Sequence, residues 1–203
     1  LNNIATVHIV LGRYGRAVDL LNECYELCEQ IGDQQGLGVA LLNLGYSHLM
    51  EGNLIPARAY LERSLDVFQT VDYEYMALMA RIFLGQVAVQ EGQIGKALTL
   101  FRGVIEQSNA TQIWPLVVQG LTGIAAVWLA LGDPVRALAL ARFVHDHEAS
   151  NLEMQVGAKQ VEAKILPALS AEQIEAADSL KASMQLDALV EEVLAMDVES
   201  IAD

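Results

Sequence analysis

One corner recurs four times in this chain at a fixed interval. Gly12 and Ala17, in LGRYGRAVDLL, return as Gly52 and Ala57, as Gly92 and Ala97, and as Gly132 and Ala137, with 40 residues between copies. Other columns keep the same step. Ala5, Gly45, Gly85 and Ala125 are always small, and each follows a branched apolar residue: Ile4, Leu44, Leu84 and Ile124. Leu20, Tyr60, Leu100 and Leu140 share one more fixed offset. A period of this length marks a supersecondary unit that cannot bury its apolar side alone and stacks on copies of itself.

The spacing inside each unit is helical. In GVALLNLGYSHLMEG, residues 38–52, Leu41, Leu44, Gly45 and Leu49 follow steps of three and four. Gly52 then stops the helix, because glycine enters the left-handed conformation without penalty. The run LIPARAYLERSLDVFQTV restarts it, with Pro56 in the first turn and Ala57, Leu61, Leu65 and Phe68 as the buried stripe. Each unit therefore reads as two antiparallel helices, here about residues 37–51 and 54–70. The small columns mark close crossings: Gly45 or Gly85 on a first helix, Ala57 or Ala97 on a second.

Composition narrows the function classes. The chain is 53% hydrophobic and 19% charged, which excludes disorder. No apolar run approaches the ~18–20 residues that cross a bilayer. A formal net charge of −14, without a Lys/Arg cluster, argues against direct nucleic-acid or anionic-membrane binding. Two cysteines, Cys24 and Cys28, fit a reducing cytoplasm better than a disulfide scaffold. The start, LNNIATVHIV, has no initiator Met or basic leader and opens inside a helical pattern, so the chain reads as a piece of a longer protein.

The repeated columns resemble the tetratricopeptide repeat. The residues that carry the resemblance are Leu44–Gly45, Gly52, Ala57 and Leu61, then Leu84–Gly85, Gly92, Ala97 and Phe101. That family's usual unit is about 34 residues, so a step of 40 is similar to its longer variant. The resemblance covers residues 1–148 and implies an all-α, right-handed solenoid of helix hairpins. The segment 149–203 is then expected to supply capping helices, with Pro167 ending one and Ser170 and Gln173 opening the next as a capping box. Leu152, Val156, the Lys159 stem and Ala163 lie along one side of the first of these. Residues 149–196, ending in MQLDALVEEVLA, also resemble the C-terminal end of bacterial STAND-class signal-transduction ATPases, including transcriptional activators of the maltose-activator type. In those proteins such repeats follow a nucleotide-binding motor and sense an inducer.

The chain carries no enzyme signature. GQIGKA, residues 92–97, lacks the first glycine and the final Ser/Thr of a phosphate loop and reads as a repeat turn. Cys24 and Cys28 share a helix face but supply two of the four ligands that zinc needs, so they read as structural. His145 and His147 are two apart and point in different directions on a helix; they suit a helix end. His8 and His48 occupy one repeat column, which points to packing. No catalytic residue, cofactor or metal site is expected.

The remaining candidate is the concave face lined by the first helices. It is expected to carry Asn2 and Thr6, then Val39, Leu42 and Tyr46, then Met79, Phe83 and Gln86, then Gln119, Thr122 and Ala126. Aromatic, Met and amide groups suit an extended peptide or a small polar ligand. Some members of the family clamp a carboxylate with Lys and Asn at columns that here hold Leu42, Tyr46, Ile82 and Gln86, so that activity is not expected. The expected partner is a protein, a peptide or a small-molecule inducer, and self-association through the half-paired start LNNIATVHIVLG is the rival role.

Overall fold

The computed structural model describes residues 1–197, the side chain of Glu153 excepted. Residues 198–203 of the expected cap segment lie outside the described residues. All regular structure among the described residues is helical. The helices are α1 (Asn2–Val10), α2 (Tyr14–Ile31), α3 (Gln34–Met50), α4 (Leu54–Thr70), α5 (Glu74–Gln90), α6 (Ile94–Ala110), α7 (Trp114–Ala130), α8 (Pro134–Asp146), α9 (Leu152–Ile165), α10 (Ala171–Ser183) and α11 (Leu186–Ala195). A single 3-10 turn, Leu166–Ala168, holds Pro167 after α9. The chain divides into two compact units, Leu1–Glu91 and a second that begins at Gly92.

The corner glycines are used as the repeat requires. Gly12, Gly52, Gly92 and Gly132 have φ of 69°, 77°, 78° and 83°. The amide after the glycine reaches back across it: Asn53 N donates to His48 O at 2.9 Å, and Asp133 N to Trp128 O at 2.9 Å. The turn that joins one hairpin to the next obeys the same step of 40. Its left-handed residues are Gly32, Asp72 and Gln112, with φ of 73°, 53° and 58°. Asp33, Tyr73 and Ile113 then donate to Cys28, Phe68 and Ser108 carbonyls at 2.8–3.0 Å. The pattern stops after α8, where His147 is extended (φ −72°, ψ 137°).

In the first unit, α1–α2 and α3–α4 are antiparallel hairpins, α3 also packs on α2, and α5 packs on α4 and α3. Gly45 of the small column does what close crossing demands, and Gly38, outside that column, is equally tight. A Cβ on Gly45 would stand 2.6 Å from Leu61 Cγ and 3.1 Å from the Ala57 carbonyl; one on Gly38 would stand 2.7 Å from Phe68 Cε1. Ala5, Ala17, Leu21 and Leu44 form one fully buried cluster with Ile9 at its edge. Helix α3 starts at Gln34, three residues before the expected 37. The Asp33 carboxylate accepts from Gly36 N at 2.9 Å, and this cap outweighs the low helix propensity of Gly36 and Gly38.

In the second unit, α7 packs on α6 and α8. Gly120 and Gly123 of α7 lie against Ile105 and Phe101 of α6, at separations that a Cβ would close to 2.6 and 2.3 Å. Helix α9 packs on α8 and α7. Helix α10 packs on α8 rather than pairing with α9, and α11 packs on α6. The capping box read at Ser170 and Gln173 is formed, with reciprocal bonds of 3.2 and 2.9 Å.

A left-handed backbone strains any residue with a Cβ, less so Asp than Gln. Gln112→Gly is therefore expected to raise stability by about 0.5–1 kcal/mol once the greater chain entropy of glycine is deducted, and the thermal midpoint with it. Asp72→Gly should gain less, and Gly52→Val should lower the midpoint. A melting series in which Gln112→Gly is the most destabilised of the three contradicts the assignment.

Candidate functional site

The candidate face of the first unit is built from first helices alone, since α3 lies beside both α1 and α5. Asn43 Nδ2 donates to Asn2 Oδ1 at 2.8 Å and ties α3 to α1. Tyr46 of α3 stacks on Phe83 of α5, with ring centroids 4.6 Å apart and planes at 29°. Leu42 and Phe83 are each 4% exposed and form the floor. Val39, Tyr46, Met79 and Gln86 are half-buried around them. Thr6 is exposed and returns its hydroxyl to the Asn2 carbonyl at 3.1 Å. The face thus sets half-buried methionine, valine and amide groups around an apolar floor.

The three candidates of the second unit sit differently. Gln119 is buried, and Thr122 donates to the Val118 carbonyl at 3.2 Å. A Cβ on Gly157 of α9 would stand 3.8 Å from the Thr122 methyl, so α9 lies over this part of α7. Ala126 is half-buried.

The histidine column is a packing column. His8 and His48 each carry a buried Nδ1 with no hydrogen-bond partner. The His48 ring lies parallel to Tyr60, 5.6 Å between centroids. The same column holds Trp128, whose ring lies 4.0 Å beneath the Arg136 guanidinium. Cys28 is buried and Cys24 half-buried on α2. Burial, with Cys24 and Asp33 adding to it, pushes the Cys28 thiol above its ordinary value, which keeps it protonated. Among the described residues, no three His, Cys, Asp or Glu side chains gather where a metal ion could be held.

A second surface lies on α9, along the stripe named from the sequence. The stripe Leu152, Val156, Lys159 and Ala163 faces outward: Leu152 is 73% and Val156 48% exposed. With His145, Gln155 and Gln160 it lines a shallow depression of about 370 Å³. The other side of α9 is the packed one, through Met154, Ala158 and Ile165.

Below that depression lies a charge network. The Arg142 guanidinium donates to Glu162 Oε1 at 2.8 Å and to Asp178 on α10, and Lys159 Nζ reaches Glu162 Oε2 at 3.0 Å. Burial raises the Glu162 carboxyl, but hydrogen bonds from Arg142 and Lys159 outweigh it and leave the group below its ordinary value. Hydrogen bonds from His145 and Lys181 likewise hold Asp146 low, with burial opposing. His145 lies in the last turn of α8, the helix end at which the sequence placed it.

Comparison with known families agrees with the repeat. Two family models, each described as tetratricopeptide repeat, match the chain: one over residues 1–70, the other over 78–102 and 119–142. Together they cover more than half of it. The matched segments are tetratricopeptide repeats. The matched spans are α1–α4, parts of α5 and α6, and most of α7 and α8, and they include all four corner glycines. Tetratricopeptide repeats indicate a protein-interaction or scaffold module. No curated protein matches the chain. No helix among the described residues is long and apolar enough to cross a membrane.

Both low-lying carboxyls bind protons more weakly folded than unfolded. Their contribution is complete above the ordinary carboxylate range and is lost as pH falls through the folded values. The melting midpoint should therefore drop from about pH 5 downward. Glu162→Gln should lower the midpoint at pH 7 and flatten this dependence. Parallel curves for the two proteins between pH 7 and pH 3 would show that Glu162 contributes nothing to it.

Proposed function

We propose that this tetratricopeptide-repeat chain is a recognition module, not an enzyme, that binds a protein or peptide segment on the first-helix face of its first unit. The supporting observation is the Tyr46–Phe83 stack with its half-buried surround of Val39, Met79 and Gln86. The stacked rings give apolar contact area at little entropic cost, and the Asn2, Asn43 and Gln86 amides can pair with an extended backbone. A small-molecule inducer is the other ligand class this lining accepts. On the resemblance of residues 149–196 to STAND-class ATPases, the module serves as the cytoplasmic sensor of a multidomain bacterial regulator. Binding would bias the parent between closed and active states by differential affinity.

The face is testable without knowing the natural ligand. Peptides selected from a random displayed library against the chain serve as probes, read by fluorescence anisotropy. Tyr46→Ala combined with Gln86→Ala is expected to weaken the selected peptides about tenfold or more while leaving a cooperative melt. Phe83→Ala is the poorer probe, because emptying a buried aromatic site costs about 3–5 kcal/mol of stability. Peptides that bind the double variant as tightly as the wild type place recognition elsewhere.

A rival reading has its own observation. Helix α1 and the residue that follows it leave an apolar stripe uncovered, with Ile4 54%, Val7 58% and Leu11 57% exposed. Such a stripe suits self-association of the parent. Light scattering should then show mass rising with concentration, and Ile4→Lys with Val7→Glu should abolish the rise; a mass independent of concentration in the wild type rejects this role.

A further inference from the structure

We propose that the surface of the second unit covered by α11 is a docking groove for an acidic amphipathic helix, and that α11 occupies it as a displaceable plug. The occupant shows the chemistry. Helix α11, LDALVEEVLA, turns Leu189, Val190 and Val193 inward, at 4%, 2% and 0% exposure, and leaves Asp187, Glu191 and Glu192 exposed. The groove answers those charges with two guanidinium groups. Arg102 of α6 donates to the Met196 carbonyl at 2.6 Å, at the negative end of the α11 dipole. Arg136 of α8 pairs with the Glu192 carboxylate and is held in place by the Trp128 ring beneath it. A chain with 12 basic residues against 26 acidic ones thus commits two of them to one short helix.

Local sequence alone does not hold that helix. Among the described residues, α6 is its main helix neighbour. The link from α10 is the extended pair Met184–Gln185, and α10 buries only Ala177. At ten residues, without a side-chain N-cap, α11 is too short to be a stable helix in water by itself. The groove therefore helps form the helix it binds, and selects the pattern: apolar residues at positions i, i+1 and i+4 with a carboxylate at i+3. Another protein's helix of that pattern competes with α11, whose advantage is the effective concentration of its tether. This surface is separate from the first-helix face and does not depend on it.

The probe is a fluorescent peptide of residues 184–197, titrated against the full chain. In wild type the tethered α11 competes; in a Leu189→Asp, Val193→Asp variant the groove is vacated. The expected result is binding about tenfold or more tighter to the variant than to wild type. Adding Arg136→Glu to the variant should abolish binding, and a peptide carrying Glu192→Arg should restore it. A second measurement uses the unaltered chain. Millimolar peptide should speed hydrogen exchange of the α11 amides while those of α8 stay protected. Equal peptide affinity for variant and wild type, no binding to a cooperatively melting variant, or α11 exchange indifferent to peptide would each overturn the proposal.

Discussion

Everything in the fold depends on how closely two helices of a hairpin can cross. At Gly45 the backbone of α3 comes near enough to α4 that a Cβ would collide with Leu61 and press on the Ala57 carbonyl. Interiors pack like crystals, so a crossing this tight leaves one seating for the helix pair. The left-handed corner at Gly52 then fixes where the second helix starts relative to the first. Crossing and corner together define this hairpin, and the corner returns at each step of 40. Each hairpin leaves an apolar side bare, which only the next can cover.

The chain leaves this scheme after α8, and its charges show how. Four basic side chains, Arg102, Arg136, Arg142 and Lys181, bind across the three helices that follow or anchor them to α6 and α8. The buried Glu162 with Arg142 and Lys159 is part of the same arrangement. Where the repeats hold together by apolar columns, the C-terminal helices hold by fewer apolar residues and more ion pairs. That makes their attachment sensitive to acid and to competition in a way the hairpins are not.

Legibility in the sequence follows the same division. The corner at Gly12, Gly52, Gly92 and Gly132 is visible because one residue type recurs. Its partner corner at Gly32, Asp72 and Gln112 has the same geometry and the same step, yet three different residues fill it, so nothing recurs to be read. Most of the candidate face of the first unit could be placed by column, but the Tyr46–Phe83 stack could not, because the two residues lie in different columns. On α9 both Leu152/Val156 and Met154/Ala158/Ile165 are apolar stripes at helical spacing. Periodicity shows the helix and is silent on which stripe turns inward.

By itself, then, the sequence determined the all-helical class, the hairpin, the period and one close crossing, at Gly45. These are set by local backbone conformation and by residue size, and each is written in the residues that need it. Tertiary structure alone decided which stripe of α9 is buried, that α10 returns to α8 instead of pairing with α9, and that α11 seats between Arg102 and Arg136. Those outcomes depend on competition between apolar surfaces and charges distant in the chain. The winner is chosen by what the rest of the fold has left uncovered.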